Sequence, residues 1–382
     1  MKKELLDELS RGIETFTATS RVTYGQDMSP TRPRGRWSLS GRDSKFRQAA
    51  LDRQAILTKP TGALGALEDV SVWLADVQQT ERPVASPATA IVFASDHPVS
   101  LLGVSAYPRE VTPMMVINLV KGGAAASVLS RINDVTLHVI DVGAESYSPP
   151  ESVPGTHWSR VDVGGTVGNL RDEDGMDAVA LENAMQAGAD AVDALPDENK
   201  LVILGEMGIG NTTPAAAIAA RLLDRNADEM VGPGTGVEGE ALLAKRELVS
   251  QALIRTEGTN EPLEVLRRLG GREIAAIVGA IGRAAERGMA ILIDGFIVSS
   301  AALVAVRTDE RLRDYLWFGH RSAEPGHAII LEALRASPLI DAGLRLGEGR
   351  GALTALPLIK AAVALHNEMA TFEEAAVPDR ES

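Results

Sequence analysis

The stretch that decides the fold is Leu201-Val202-Ile203-Leu204-Gly205-Glu206-Met207-Gly208-Ile209-Gly210-Asn211-Thr212-Thr213. Its apolar start is typical of a buried strand, and the alanine-rich segment 215–223 after it predicts a helix. A strand, a glycine-rich turn and a helix start point several backbone N–H groups at one spot, where the helix dipole favours an anion. The turn has neither the Walker A spacing nor the G-x-G-x-x-G spacing. By itself, the pattern fits an anion site and a tight structural turn equally well.

The same alternation of strand, loop and helix continues along the chain. Short apolar runs predict parallel strands at residues 90–95, 137–142, 201–204, 290–293 and 315–318. Amphipathic or apolar segments between them predict helices at residues 113–131, 177–195, 214–223, 238–253, 272–287 and 324–334. This order indicates an α/β protein with a doubly wound parallel sheet.

The two ends of the chain have a different pattern. Residues 1–45 are predicted to form a flexible or surface arm, with a short helix near residues 4–13 and solvated arginines that include Arg42. Amphipathic helices are predicted at residues 64–77 and 353–369, and we expect them to pack together. The predicted division is an arm at 1–45, a small helical domain at 46–82 plus 345–382, and an α/β domain at 83–344.

Composition narrows the class of protein. The 382 residues carry a net charge of −14, and only 4% are aromatic, so a nucleic-acid partner is not expected. The absence of cysteine excludes disulfides and thiolate chemistry, and the six histidines have no metal-ligand spacing. No signal-peptide pattern is present at the start, and Asp294 interrupts the apolar segment 289–306, so we expect a cytoplasmic protein without a membrane partner.

Several loops that follow predicted strands carry glycines and carboxylates, and they should meet at one edge of the sheet. Backbone donors there, with Lys245, would bind a phosphate without a metal, so no metal and no cofactor is expected. Asp294 is equally compatible with capping the end of a strand, and His97 and His320 with structural hydrogen bonds. Glu348 stands between two glycines, where a charged side chain adds little to packing, which favours a role in a site.

Six motifs are shared with one known family. They are Lys59-Pro60-Thr61-Gly62, Gly103-Val104-Ser105-Ala106-Tyr107-Pro108, the stretch quoted first, Gly234-Thr235-Gly236-Val237 with Lys245, His320-Arg321-Ser322-Ala323-Glu324-Pro325, and Leu344-Arg345-Leu346-Gly347-Glu348-Gly349. In these motifs and their order the chain resembles the nicotinate-nucleotide:dimethylbenzimidazole phosphoribosyltransferases of cobalamin assembly. Only the N-terminal arm lies outside the resemblance.

The resemblance implies a fold, a reaction and an assembly. The fold would be a Rossmann-like parallel sheet with helices on both faces, plus a small helical domain built from N- and C-terminal segments. The reaction would move 5-phosphoribosyl from nicotinate mononucleotide to 5,6-dimethylbenzimidazole, giving α-ribazole 5′-phosphate and nicotinate with inversion. The partners would be these two small molecules, and the enzyme would be a homodimer.

The resemblance also assigns roles to residues. Glu348 would be the catalytic base that takes a proton from the benzimidazole, and Glu206 a second catalytic carboxylate that faces the ribose. Phosphate- and ribose-binding roles fall on Gly208, Gly210, Asn211, Thr212, Lys245, Asp294, Ser322 and Glu324. Base-binding roles fall on Ser105, Tyr107 and Met207.

Two departures from the family pattern bear on the acceptor base and on the rate. Pro98 stands where the family has glycine, and proline removes a backbone donor. Arg350 follows the glutamate motif, and a guanidinium beside Glu348 would lower the pKa of that carboxyl and weaken it as a base. Two alternatives therefore stay open: the same chemistry on a different base, and a non-catalytic nucleotide-binding relative.

Overall fold

The fold is described here from a computed structural model, which covers residues 37–145, 147–148 and 151–378. Most of the predicted arm, including its helix near residues 4–13, lies outside these residues. The described end of the arm packs on the body of the protein. The guanidinium of Arg42 lies 3.0 Å from a carboxylate oxygen of Asp76 and 2.5 Å from one of Asp314, so the prediction that Arg42 is solvated is wrong.

A six-stranded parallel sheet forms the centre of the molecule, with strand order β3-β2-β1-β4-β5-β6. Its strands are β1 Ala88–Ser95, β2 Thr136–Gly143, β3 Thr156–Arg160, β4 Leu201–Met207, β5 Ala290–Ile293 and β6 Leu316–Phe318. Every residue of β1 is buried, and successive side chains of a strand point to opposite faces, so the sheet is covered on both sides. The predicted α/β class is confirmed.

Thirteen α-helices surround this sheet in the described residues. They are α1 Ser44–Ile56, α2 Ala66–Gln78, α3 Val111–Val120, α4 Ala125–Ile132, α5 Ala178–Asp193, α6 Thr212–Leu223, α7 Ala227–Met230, α8 Gly239–Arg255, α9 Pro262–Leu269, α10 Arg272–Glu286, α11 Phe296–Thr308, α12 Pro325–Ala333 and α13 Arg350–Glu368. A second, two-stranded parallel sheet pairs β7 His320–Ser322 with β8 Ile340–Leu344. This small sheet leads directly into the segment that carries Glu348.

The structure corrects three sets of sequence predictions. The single helix predicted at residues 113–131 is two helices, because Gly122 adopts a φ of +80° between them. Strands β3, β7 and β8 were not predicted, since they are short and carry polar side chains. The helices α1, α7 and α9 were also missed.

Strand β4 is three residues longer than its apolar run. It pairs in parallel with β1, and Glu206 and Met207 are opposite Phe93 and Ala94. Glu206 is therefore held by a sheet ladder and not by a loop. The rigid position of this carboxylate follows from its place in the central strand of the sheet.

The predicted contact between the helices near the two ends of the chain is present. Helix α2 packs against both α1 and α13. The guanidinium of Arg53 in α1 donates to the backbone carbonyls of His366 at 2.5 Å and Asn367 at 3.1 Å. A small helical layer thus joins sequence segments about 300 residues apart, while its exact limits as a domain stay a prediction.

Two apolar segments have the length of a membrane span. The segment 289–306 is strand β5, a turn and helix α11, as predicted. In the described residues, one stretch, Val111–Ile132, is long and apolar enough to cross a membrane by composition. It consists of α3 and α4, which both contact the central sheet, as core helices do.

The packing of α5 against α10 is very close and depends on two glycines. A Cβ added at Gly188 would overlap the backbone oxygen of Ala276, and a Cβ at Gly279 would overlap that of Met185. Because both obstacles are backbone atoms, neither can be relieved by a rotamer change. Larger residues at these positions must push the two helices apart.

We expect Gly188→Ala to lower the free energy of unfolding by about 2 kcal/mol, because overpacking outweighs the gain in helix propensity of about 1 kcal/mol. Urea unfolding followed by circular dichroism measures this change. The control is Gly41→Ala, since a Cβ there meets nothing within 4 Å. Equal stability of the two variants would contradict the tight packing of α5 on α10.

Candidate active site

Glu348 lies in a tight turn between β8 and α13. It is only 3% exposed, and one of its carboxylate oxygens accepts a hydrogen bond from the backbone N–H of Ala126 at 3.3 Å. Burial raises the pKa of Glu348, and the nearby charge of Arg350 opposes this effect without cancelling it. The expected lowering by Arg350 is thus present but smaller than the effect of burial, and the carboxyl keeps a raised pKa.

Glu206 is the second buried carboxylate of the site, 5% exposed at the end of β4. Its Oε2 accepts a hydrogen bond from the side-chain amide of Asn211. Burial raises the pKa of Glu206 to about 8, and the negative charges of Asp294, Glu273 and Glu348 add to this. At neutral pH most Glu206 carboxyls are therefore protonated.

The two carboxylates belong to segments in direct contact. The backbone N–H of Glu348 donates to the backbone oxygen of Glu206 at 3.2 Å. A Cβ at Gly205 would lie 2.5 Å from the backbone nitrogen of Gly349, so only glycine lets the turn approach the strand this closely. A Cβ at Gly347 would overlap Oε1 of Glu206. Glu206 and Glu348, predicted as the catalytic pair, thus come together around three glycines.

Asp294 and Ser322 lie at the ends of β5 and β7. The Oδ2 and Oδ1 atoms of Asp294 each accept a hydrogen bond at 3.1 Å, from the backbone N–H groups of Gly349 and Ala352. The hydroxyl of Ser322 accepts from the backbone N–H of Glu324 at 3.3 Å. One reading of the sequence expected Asp294 to cap the end of its own strand, whereas its carboxylate accepts hydrogen bonds at the start of helix α13.

Lys245 and Thr212 form a compact polar group, and Thr212 directly follows Asn211, the residue that donates to Glu206. Lys245 is 1% exposed, and its Nζ donates to the hydroxyl of Thr212 at 2.7 Å and to the backbone oxygen of Gly232 at 3.2 Å. Burial lowers the pKa of Lys245 to about 8, and the charge of Glu324 opposes this. Thr212 begins helix α6, so this cation and a helix N-terminus share one location, as an anion site requires.

Glu324 connects that group to the loop before α8. Its Oε1 accepts a hydrogen bond from the backbone N–H of Gly234 at 2.9 Å. Burial raises the pKa of Glu324, and Lys245 opposes the rise. A Cβ at Gly234 would lie 2.7 Å from the hydroxyl of Thr212 and 3.0 Å from Nζ of Lys245. The predicted residues Thr212, Lys245 and Glu324 are therefore assembled around this glycine.

The glycine-rich turn after β4 packs against Ser95 and His97, which follow one another closely at the end of β1. A Cβ at Gly208 would lie 2.6 Å from the backbone oxygen of Ser95 and against the ring of His97. Gly210 has a φ of +92°, which favours glycine. The backbone N–H of Ile209 donates to the hydroxyl of Thr112 at 3.0 Å. One donor of the turn is thus used within the protein.

The residues predicted to bind the base are more exposed than the two carboxylates and Lys245. The hydroxyls of Ser105 and Thr235 are 2.9 Å apart, and the Thr235 oxygen also accepts from the backbone N–H of Ala106 at 3.2 Å. Tyr107 is 54% exposed on the same loop. Met207 is half-buried at the end of β4 and packs on the core. The loop of Ser105 is thus linked to the loop of Gly234.

Sequence reasoning did not single out Thr112, Thr235 and Glu273 as individual contributors. Glu273 is fully buried in α10, with its Oε1 2.7 Å from Nε2 of His97, so His97 has the structural partner that one reading expected. Glu273 stands directly before the apolar run 274–282, and a charged residue in that place is a signal that could have identified it. Thr235 lay within a quoted motif, but nothing in its spacing indicates the contact with Ser105.

Two further features outside these residues bear on the location of the site. A concavity of about 480 Å³ lies on α8 and is lined by Asp228, Leu243, Ala244, Arg246, Glu247 and Ser250. None of the predicted site residues lines it.

In the described part of the chain, no three His, Asp or Glu residues are grouped to hold a metal ion. The buried carboxylates and Lys245 therefore define the candidate site better than the shape of the surface does.

We expect Glu206→Gln to change how stability depends on pH. A carboxyl whose folded pKa is about 8 holds its proton in the folded state at pH values where the unfolded chain has lost it, so the stability of the wild type falls as pH rises from about 5 to 8. Glutamine cannot ionise, so the variant should be about 4 kcal/mol more stable than the wild type at pH 8 and within about 1 kcal/mol of it at pH 5. Urea unfolding at both pH values measures this. The exposed Glu198→Gln serves as the control, and a pH-independent difference for Glu206→Gln would contradict the raised pKa.

Comparisons with known proteins agree with this arrangement. A family model described as phosphoribosyltransferase matches residues 39–377. A nicotinate-nucleotide–dimethylbenzimidazole phosphoribosyltransferase from Pseudomonas syringae pv. syringae (strain B728a) is 49% identical over 340 residues, covering 88% of this chain and 96% of the relative. One of the same name from Xanthomonas axonopodis pv. citri (strain 306) is 47% identical over 338 residues, with the same coverage. The crystal structure of CobT from Thermus thermophilus superposes with a TM-score of 0.81 at 42% identity, covering 87% of this chain and 99% of that one. The chain belongs to the nicotinate-nucleotide–dimethylbenzimidazole phosphoribosyltransferase family.

Proposed function

We propose that this protein transfers 5-phosphoribosyl from nicotinate mononucleotide to 5,6-dimethylbenzimidazole, giving α-ribazole 5′-phosphate and nicotinate. The main support is the pair of buried carboxylates, Glu206 and Glu348, beside the group of Lys245 and Thr212. The two relatives described above, which carry this activity in their names, are 49% and 47% identical over 88% of the chain. The reaction breaks the bond from the ribose C1′ to nicotinate and forms one from C1′ to a benzimidazole nitrogen, with inversion.

In this proposal, Glu348 is the general base. One ring nitrogen of the benzimidazole attacks C1′ while Glu348 removes the proton from the other, so no positive charge remains on the product base. Burial raises the pKa of Glu348, and a carboxylate with a raised pKa accepts a proton more readily than an exposed one. The hydrogen bond from the backbone N–H of Ala126 orients the carboxylate that receives the proton.

Glu206 would face the ribose, where positive charge develops as nicotinate leaves. With a pKa of about 8, its carboxyl is mostly protonated at pH 7. The protonated form can donate a hydrogen bond to a ribose hydroxyl, and the ionised form can stabilise the developing charge. We therefore propose that the electrostatic contribution of Glu206 grows as pH rises toward 8.

The 5′-phosphate would bind at Lys245 and at the start of α6. Lys245 remains mostly charged at pH 7, and the helix dipole at Thr212 adds to its attraction for a dianion. Gly208, Gly210 and Asn211 would bring the backbone close to the phosphate and ribose. Asp294, Ser322 and Glu324 would lie near the ribose and nicotinate, and Ser105, Tyr107 and Met207 would border the acceptor base.

A homodimer and a cytoplasmic location complete the proposal. The first rests on the resemblance stated above, and the second on the sequence pattern, in which Asp294 interrupts the apolar segment 289–306. Light scattering of the purified protein measures the first, and cell fractionation measures the second. A monomer at micromolar concentration would contradict the homodimer. Activity recovered with membranes would contradict the cytoplasmic location.

The reaction itself is tested by incubating the protein with nicotinate mononucleotide and a panel of bases and measuring nicotinate release. We expect release with 5,6-dimethylbenzimidazole, because both carboxylates and Lys245 are in place. Faster release with another benzimidazole, a purine or a phenol would favour the alternative acceptor that Pro98 and Arg350 suggest. No release with any base would favour a non-catalytic nucleotide-binding protein.

Glu348→Gln tests the base. We expect turnover to fall by ~10² or more, because the amide cannot accept the proton, while the affinity for nicotinate mononucleotide stays nearly unchanged. Steady-state kinetics and calorimetric binding measure the two quantities, and Glu198→Gln is the control. Wild-type turnover in Glu348→Gln would remove this residue from the base role.

A further inference from the structure

The turn that carries Glu348 has an unusual backbone. Gly347, Glu348 and Gly349 have φ values of +88°, +65° and +77°, so three consecutive residues are left-handed. Glycine adopts this region freely, but for glutamate it costs on the order of 1 kcal/mol. A turn flanked by glycines has many other conformations available. The surrounding structure must therefore hold Glu348 in this one.

The carboxylate of Asp294 supplies two of the bonds that hold the turn. Its Oδ2 accepts from the backbone N–H of Gly349 and its Oδ1 from that of Ala352, each at 3.1 Å. The first N–H groups of a helix have no acceptor within the helix, so both donors depend on an outside partner. A negative charge at this helix end is also favoured by the dipole of α13.

The other side of the turn rests on β4. The backbone N–H of Glu348 donates to the backbone carbonyl oxygen of Glu206, and the backbone of Gly205 is in close contact with that of Gly349. Asp294 directly follows β5, the neighbour of β4 in the sheet. The turn is thus fixed between the ends of two adjacent strands, by one backbone carbonyl and by one carboxylate.

The environment of Asp294 favours this structural contact over a direct contact with ribose. The residue is 1% exposed, and both of its oxygens face the backbone of α13. Another polar group close to it is Nδ1 of His320, 3.5 Å from Oδ1. The ring of His320 packs against the backbone at Gly351, where an added Cβ would overlap it. His320 is thus a second neighbour of the start of α13, beside Asp294.

We propose that Asp294 is a positioning residue, which holds Glu348 in its left-handed conformation by accepting hydrogen bonds from the Gly349 and Ala352 amides. In this proposal Asp294 acts on the reaction through Glu348, and this role replaces the ribose contact that the resemblance implies for it. This inference rests on the proposed role of Glu348 as the base.

A double-mutant cycle of Asp294→Asn and Glu348→Gln tests the proposal. Asparagine turns an N–H donor toward one of the two amides, so one hydrogen bond is lost. We expect Asp294→Asn alone to lower kcat ~10-fold or more, with the KM for nicotinate mononucleotide changed less than ~3-fold. In the Glu348→Gln background, Asp294→Asn should cause little further loss, because both act through one group. Asp341→Asn, at an exposed site on β8, is the control with unchanged constants.

Two results would overturn the proposal. A rise in KM with kcat unchanged would show that Asp294 binds the donor directly, and multiplicative losses in the double mutant would show that it acts independently of Glu348. These outcomes leave the proposed reaction intact. Wild-type turnover in Glu348→Gln would instead overturn the base assignment, and this inference with it.

Hydrogen exchange of the wild-type protein tests the same contact without any variant. We expect the amides of residues 349–352 to exchange ~10²-fold more slowly than those at the start of α8, a helix that has no side-chain hydrogen bond at its N-cap. Mass spectrometry of short peptides measures both regions. Equally fast exchange in the two helix starts would overturn the proposal even if Asp294→Asn did not fold.

Discussion

The site depends on one close approach, that of the Gly347–Gly349 turn to the end of strand β4. Glycine at position 205 leaves room for the backbone of the turn, and the carbonyl of Glu206 receives the N–H of Glu348. Two carboxylates are thereby buried close to each other. The loss of water raises the pKa of both, and the negative charge of Asp294 adds to each rise. The charge properties of the site are thus a direct result of backbone packing, because a larger residue at position 205 would separate the two segments.

The group proposed to bind the phosphate is also buried against glycine, but its charge is positive. Lys245 is buried among a hydroxyl, a backbone carbonyl and the charge of Glu324, and burial lowers its pKa to about 8. Gly234 fits between Lys245 and Thr212, and its N–H is held by Glu324. Around the two carboxylates and around Lys245, glycines allow close contact between segments, and the buried charged groups have shifted pKa values. The pKa values of Glu206 and Lys245 are both about 8. A change of pH around this value therefore alters the protonation of the carboxyl and of the lysine together.

Much of this arrangement could be predicted from the sequence, and the failures have physical causes. Apolar runs located the inner strands β1, β2, β4 and β5, because strands buried on both faces need continuous apolar residues. The edge strand β3 was missed, since its outward residues are polar. Motifs identified Glu206, Glu348 and Lys245, but the bonds of Asp294 to Gly349 and Ala352 join positions 55 and 58 residues apart. No local pattern contains such a contact, and the same holds for Thr235 with Ser105.

The helix Arg350–Glu368 links the turn of Glu348 to the helical layer formed near the two ends of the chain. During synthesis, the strand that carries Glu206 leaves the ribosome long before Glu348 does. The turn that contacts Gly205 is covalently joined to a helix that packs on α2. A nascent chain therefore contains Lys245, the proposed phosphate ligand, before it contains Glu348, the proposed base. With Glu348 as the proposed base, a chain cut before this helix would keep all six strands of the central sheet and lose the Ala352 contact that ties the turn to Asp294.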